Sequence, residues 1–376
     1  MNRTISTFIA AVAAAVVSVA AVSQAAVTQY DIKPLASTGT PDVYARDINN
    51  LGQIVGYSVD TAGNSRAVIW QNPAAAATDL PLLSQTNPYG EAYRINDAGQ
   101  IVGKARTNSN QSHAAYWDGQ GGVTDIGTLG GVHSFANDIN EAGVVVGSAA
   151  AANNGTRAFR WTPAGGIVDD GNLNTASAGA HAGWNGINNT GLMVGTAYQI
   201  FSPYKASMGR PGDRSPTVIS PAGQFSTGMA MAVNDAGVIV GYQNGGSGSP
   251  RAAIFDGIGG YQDLGSLGLS DSQALDINES GLIVGTAFGD DGTGAFINKA
   301  FVYADGQMHD LTTLLRDGTG WELLFEAGSI NDLGQIVGSG IYQGEIRGFV
   351  ATPVPEPALL GLAWGAAILL ARRRRD

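Results

Sequence analysis

Acidic and amide side chains return at set places along this chain, and they are where chemistry would first be sought. Asparagine recurs as Asn49, Asn96, Asn140, Asn188, Asn234, Asn278 and Asn331. Asp47, Asp138 and Asp276 stand two residues before it; Asp97, Glu141, Asp235, Glu279 and Asp332 stand directly after it. Repeated oxygens suit calcium, but calcium wants roughly six to eight of them converging in one loop with a closing bidentate acid. Each copy offers one or two acids without that spacing, and a glycine always follows three residues after the Asn. The pattern therefore reads as turn chemistry, with the Asn side chain bonding nearby backbone and the Gly accepting positive φ. Asp290-Asp291-Gly292-Thr293-Gly294 is the best single calcium-loop candidate, and it too reads first as a solvated loop.

Other catalytic signals are sparse. Cysteine is absent, which excludes disulfides, thiolate nucleophiles and zinc–thiolate sites together. His113, His133, His181 and His309 are scattered, with no His-x-x-x-His pair and no Ser-centred elbow beside them. Gly130-Gly131 lacks the Lys-Ser/Thr of a phosphate loop. Trp70, Trp117, Trp161, Phe255 and Tyr303 have rings that would stack on sugars, but their fixed place in the repeat favours packing between neighbouring units. No residue is assigned to catalysis, a cofactor or a metal, and the chain reads as non-enzymatic.

The elements that position these residues follow from the repeat. The phrase Ile-Asn-x-x-Gly-x-Ile-Val-Gly, first seen at Ile48 to Gly56, occurs seven times with Asn-to-Asn steps of 47, 44, 48, 46, 44 and 53 residues. Such a period marks one supersecondary module per copy. A strand such as Val43 to Ile48 leads into the Asn-x-x-Gly turn, and a β-branched strand such as Gln53 to Val59 leaves it. A third strand follows at Arg66 to Trp70, His113 to Trp117, Arg157 to Trp161, Pro216 to Ser220, Arg251 to Phe255, Lys299 to Tyr303 and Arg347 to Ala351. A short fourth follows at Thr78 to Leu80, Thr124 to Ile126 and Gln262 to Leu264. Four short antiparallel strands per copy describe a blade, and seven copies describe an all-β, seven-bladed β-propeller spanning 26–352. The last copy stops one strand short, while Tyr30-Asp31-Ile32 is a surplus fourth strand ahead of the first. Pairing the two closes the ring and removes the open edge.

The interval between second and third strands widens in the fourth copy, through Tyr198, Phe201, Tyr204 and Arg210, and in the sixth. Insertions on one face of a rigid ring are where binding develops, so Ala197 to Arg214 and Ala287 to Asn298 are the expected ligand surface.

Composition narrows the partners. Charged residues are 14% and net charge is −11; 54 glycines in 376 residues suit many tight turns. Setting aside Arg3 and Arg372 to Arg375, Glu356 and Asp376, the body holds 15 basic and 29 acidic residues, a field that repels nucleic acid.

Both ends read as addresses. Residues 1–25 carry Arg3, an apolar run from Phe8 to Val22 and small residues before a cut after Ala25, the pattern of a secretory signal peptide. Residues 353–376 present Pro355-Glu356-Pro357, a 14-residue apolar run from Ala358 to Ala371, and Arg372-Arg373-Arg374-Arg375. That run is short beside the roughly 20 residues of a settled spanning helix, and the arginines hold its end on the cytoplasmic side, so it reads as a transient membrane hold. This three-part layout resembles the PEP-CTERM sorting signal of Gram-negative bacteria. The resemblance implies recognition by an exosortase, a short transmembrane helix in the inner membrane before processing, and release or transfer to the cell surface.

The repeats resemble the extracellular HAF-repeat family, whose phrases are best matched by Asp125-Ile126-Gly127-Thr128-Leu129-Gly130-Gly131 running into Ile139-Asn140 and Gly143. Only His113 keeps the His of the eponymous triplet; Arg66, Arg157, Arg251, Lys299 and Arg347 replace it, which weakens any ring of histidines. Together the resemblances imply a secreted, surface-sorted structural or adhesive component of a biofilm or exopolysaccharide matrix, whose partner beyond exosortase is exopolysaccharide or a surface glycan. A lectin-like propeller and a polysaccharide hydrolase or lyase are the alternatives.

Overall fold

The computed structural model describes residues 29–354, apart from 38–41, 154, 173–179, 200–201, 214, 223–226, 246–247 and 317–319. The expected signal peptide and the sorting residues Pro355, Glu356, Pro357 and Arg372 to Arg375 lie outside the described residues. Among the described residues no helix is long and apolar enough to cross a membrane.

Seven four-stranded antiparallel sheets form a β-propeller. The innermost strands are Asp42–Ile48, Gly90–Ile95, Gly130–Ile139, Ala180–Ile187, Gly228–Val233, Asp271–Ile277 and Trp321–Ile330. Each leads through an Asn-x-x-Gly turn into the second strand, so all seven turns lie on one face. The turn glycines take φ of 74° to 84°, which a side-chain-bearing residue resists. Closure is as the sequence suggests. Tyr30–Pro34 pairs with Glu345–Pro353 as the fourth strand of blade 7, from Tyr30 opposite Pro353 to Pro34 opposite Phe349.

The core lies between blades. Trp70, Trp117, Trp161, Phe255 and Tyr303, between 0% and 8% exposed, pack against the preceding blade. Trp117, for instance, joins Val55, Ala67 and Ile69 of blade 1. Packing accounts for these rings.

Blade 4 departs from the expected strand assignment. Its third strand is Lys205–Gly209, paired from Met193 opposite Gly209, while Thr217–Val218, inside the stretch expected as third strand, is the fourth. The terminal aromatic that marks this strand in five of the other six blades is here Gly209. A Cβ on Gly209 would sit 2.8 Å from Trp184, whose ring from the inner strand fills the vacated space. The aromatic has moved to another strand, so the third strand lost its marker. The long interval is therefore no single loop. Residues 197–199 and 205–209 are strand, and the Arg210 to Asp213 turn lies on the opposite face. In blade 6 the extra length extends the hairpin strands to Asp290 opposite Phe296.

Candidate functional site

The repeated polar residues converge on the propeller axis, where a cavity of about 180 Å³ opens among them. Three layers line it.

The first layer is a closed ring of asparagines. Each Asn Nδ2 donates to the backbone carbonyl of the same Asn in the next blade, at 2.8 to 3.3 Å, from Asn49 through Asn331 and back to Asn49. Its Oδ1 meanwhile accepts a backbone N–H of its own turn, as from Leu192 to Asn188 at 2.9 Å. All seven are at most 6% exposed, so both halves of each amide are satisfied inside the protein.

The residues just after them make a second ring. The N–H of Asn50 bonds Asp97, that of Asp97 bonds Glu141, and so on through Asn189, Asp235, Glu279 and Asp332 back to Asn50, at 2.7 to 3.1 Å. Five carboxylates thus stand around one axis. Burial first, then the neighbouring carboxylates, hold Glu141 and Glu279 above the ordinary glutamate range.

Deeper lies the waist. A bulge in every inner strand, such as that between Ala45 and Asp47, turns the residue two before the Asn toward the axis. The bulged strand approaches the last Gly of the phrase so closely that a Cβ on Gly147 would meet the Phe135 carbonyl at 2.0 Å. Asp47, Asp138 and Asp276 each accept the backbone N–H of an isoleucine in the next blade, at 2.7 to 3.1 Å. Ser329 joins Asp47 and Asp276 at 2.6 and 2.7 Å, and Arg94 stands 3.9 Å from Asp138. Burial pushes Asp138 up to about 7 against the pull of Arg94, and burial also raises Asp47.

Below the waist, toward the face opposite the turns, the repeat abandons its regularity. The inner-strand residue five before the Asn pairs across to the residue eight after it. These pairs are Tyr44 with Tyr57, Glu91 with Lys104, Phe135 with Ser148, Gly183 with Thr196, Met229 with Tyr242, Gln273 with Thr286 and Glu326 with Ser339. No two blades carry the same chemistry there.

The other candidates are scattered or satisfied. His113 pairs with Asp125 at 2.9 Å, and Arg157, Arg251 and Lys299 pair with Asp169, Asp263 and Asp310 in the same way, third strand to fourth. His113 is one version of a repeated third-to-fourth-strand pairing with an aspartate, a partnership that sequence reading missed although both members recur. In the calcium-loop candidate, Asp290 accepts the N–H of Gly292 and Gly294, and Asp291 that of Thr293. His133 and His181 each accept a backbone N–H from the preceding blade, from Ser112 and Thr156.

No family model and no curated protein sequence matches the chain. Solved structures do match its shape. A prolyl endopeptidase aligns over 88% of this chain and 51% of its own, with 9% identity and a TM-score of 0.53. The acylaminoacyl peptidase of Pyrococcus horikoshii aligns over 88% and 55%, with 12% identity and a TM-score of 0.51. A puromycin hydrolase aligns over 82% and 53%, with 13% identity and a TM-score of 0.51. The chain spans about half the length of these proteins, and at such identity the likeness shows the propeller fold alone.

Proposed function

We propose that the chain is a HAF-repeat propeller sorted to the bacterial envelope, where it serves as a non-catalytic, adhesive component of an exopolysaccharide matrix. The observation that carries the non-catalytic part is how the axial carboxylates are used. A hydrolase or lyase needs acids free to exchange protons with substrate. Here the carboxylates of the second ring and the waist accept backbone N–H groups from the adjoining blade, which is a task of assembly. The signal-peptide pattern of 1–25 and the Pro355-Glu356-Pro357, apolar and arginine segments support the address, with exosortase as the processing partner. Rigid rings with one irregular mouth favour binding over chemistry, and a lectin-like activity belongs to the same reading.

Fractionation tests the address and role together. The intact chain is expected in the matrix fraction, and altering Pro355 to Pro357 should leave it in the inner membrane. Incubation with the purified exopolysaccharide should retain polymer without releasing new reducing ends. Their appearance at a rate above buffer would make the protein an enzyme.

A further inference from the structure

At the axial end opposite the turns, the inner-strand residues five and three before each Asn divide into two arcs. Blades 4 to 6 contribute Gly183, Asn185, Met229, Met231, Gln273 and Leu275, none of them charged. Blades 7 to 3 contribute rings and charges in contact. Tyr44 and Tyr57 stack at 4.8 Å and 17°. Arg46 lies over Tyr57 at 5.4 Å and reaches Glu326 at 3.1 Å across the closing blade. Lys104 bonds Glu91 at 3.1 Å and stands within 6.0 Å of the rings of Tyr89, Tyr93 and Phe135. Arg106 covers Tyr89 at 4.7 Å. Arg46 and Glu326 remain 36% and 29% exposed, and Lys104 and Glu91 20% and 13%, so the arc is partly open to solvent.

We propose that this arc, centred on Tyr57, Arg46, Glu91 and Tyr93 at the mouth opposite the Asn ring, binds a neutral oligosaccharide. The proposal rests on the binding reading above and gives it a place and a ligand class. In a repeat protein the positions that build the ring must recur; a cluster that recurs nowhere else is not needed for closure. Its composition matches a sugar. The Tyr44–Tyr57 stack, with Arg46 over Tyr57, offers a pyranose the apolar ring surface that the stack leaves open and hydroxyls at its rim. The Arg46–Glu326 and Lys104–Glu91 pairs set donors beside acceptors, as vicinal hydroxyls require. Charge selects the class. Arg46 pairs with Glu326 and Lys104 with Glu91, while Arg106 over Tyr89 and Asp42 beside Tyr44 offset each other in number, so the arc has no net charge inside a chain of net charge −11. A polyanion would gain nothing here and be repelled elsewhere.

The test uses fragments of the exopolysaccharide made by the producing cells, separated into neutral and uronate-bearing oligosaccharides, and calorimetric titration of the full mature chain. Neutral fragments should bind. Tyr57→Leu and Tyr93→Leu, which keep apolar bulk but lose the ring, should each weaken binding about tenfold or more, while Tyr57→Phe stays within about threefold. Leu51→Asp, on the turn face, should bind as the parent does. No binding of neutral fragments, binding of uronate fragments alone, or equal binding by both leucine variants with unchanged melting would overturn the site. If the chain still fractionates with the matrix in that event, the scaffold reading stands without it. Binding through the arc by a chain absent from the matrix would instead keep the site and remove the matrix role.

Discussion

Asn188 shows how one side chain serves two structures. Its Nδ2 crosses to the Asn234 carbonyl at 2.8 Å while its Oδ1 caps its own turn at the Leu192 N–H, 2.9 Å away. Asn188→Ala leaves the buried Leu192 N–H without its acceptor, while the Asn234 carbonyl loses one of two donors and keeps the Gly237 N–H, so urea unfolding should show a loss of about 1–3 kcal/mol. The paired surface ions are a contrast. Arg157 and Asp169 are 20% and 36% exposed, and Arg157→Ala should cost less than about 1 kcal/mol in the same assay. Asp138 titrates in the opposite sense to a salt-bridged acid. Its folded value near 7 lies above the ordinary aspartate value, so between about pH 4 and 7 the unfolded chain holds fewer protons than the folded one. Stability should therefore fall as pH rises through that window. Facing Asp138 are Arg94, Asp47 and Asp276; of these Asp47 is also raised and adds the same slope. Asp138→Asn, followed by urea midpoints from pH 4 to 8, should reduce the slope and leave the part owed to Asp47, Glu141 and Glu279.

Within a strand pair, the bulge and the last Gly of the phrase are one device. Gly147 admits the Phe135 carbonyl because it has no Cβ, and that approach lets the bulge turn Asp138 inward. Gly147→Ala would force backbone apart at 2.0 Å and should cost at least about 3 kcal/mol. Gly212→Ala, at φ of 99° with nothing within 4 Å, should fold with a milder loss. Both effects are measurable as shifts of the same unfolding midpoint. Blade 4 fills the same interblade space from a different strand. Lys205 keeps the basic start of a third strand, but Gly209 lacks the aromatic end, since Trp184 supplies that ring from the inner strand. Strand identity was carried by packing volume, and volume can be filled from either strand.

The ring as a whole depends on its seam. Tyr30–Pro34 covers the outer edge of Glu345–Pro353, and Leu35 N–H and Val354 N–H extend the pairing to Gly348 and Gln29 at 2.9 and 2.8 Å. Deleting residues 29–35 should expose that edge and yield oligomers, absent from the intact chain, by size-exclusion chromatography. The same closure brings Glu326 of blade 7 to Arg46 of blade 1, residues 280 apart in sequence, so the seam also completes the proposed binding arc.

Local chemistry, repeated seven times, was enough to announce the blades, the turns and the closing strand. Asn and Gly at set spacing have few backbone options, and a missing fourth strand needs a donor. What each Asn, Asp and Glu does with its remaining oxygens and hydrogens depended on the neighbouring blade, whose matching residue lies some 44 to 53 positions away for successive blades. Only the tertiary structure joined those ends into rings, left Asp138 buried beside Arg94, and gathered Tyr57, Arg46, Glu91 and Tyr93 at one mouth. Hydrogen bonds across a closed ring couple positions that sequence distance keeps apart, and periodicity alone cannot say which differences between repeats come to face one another.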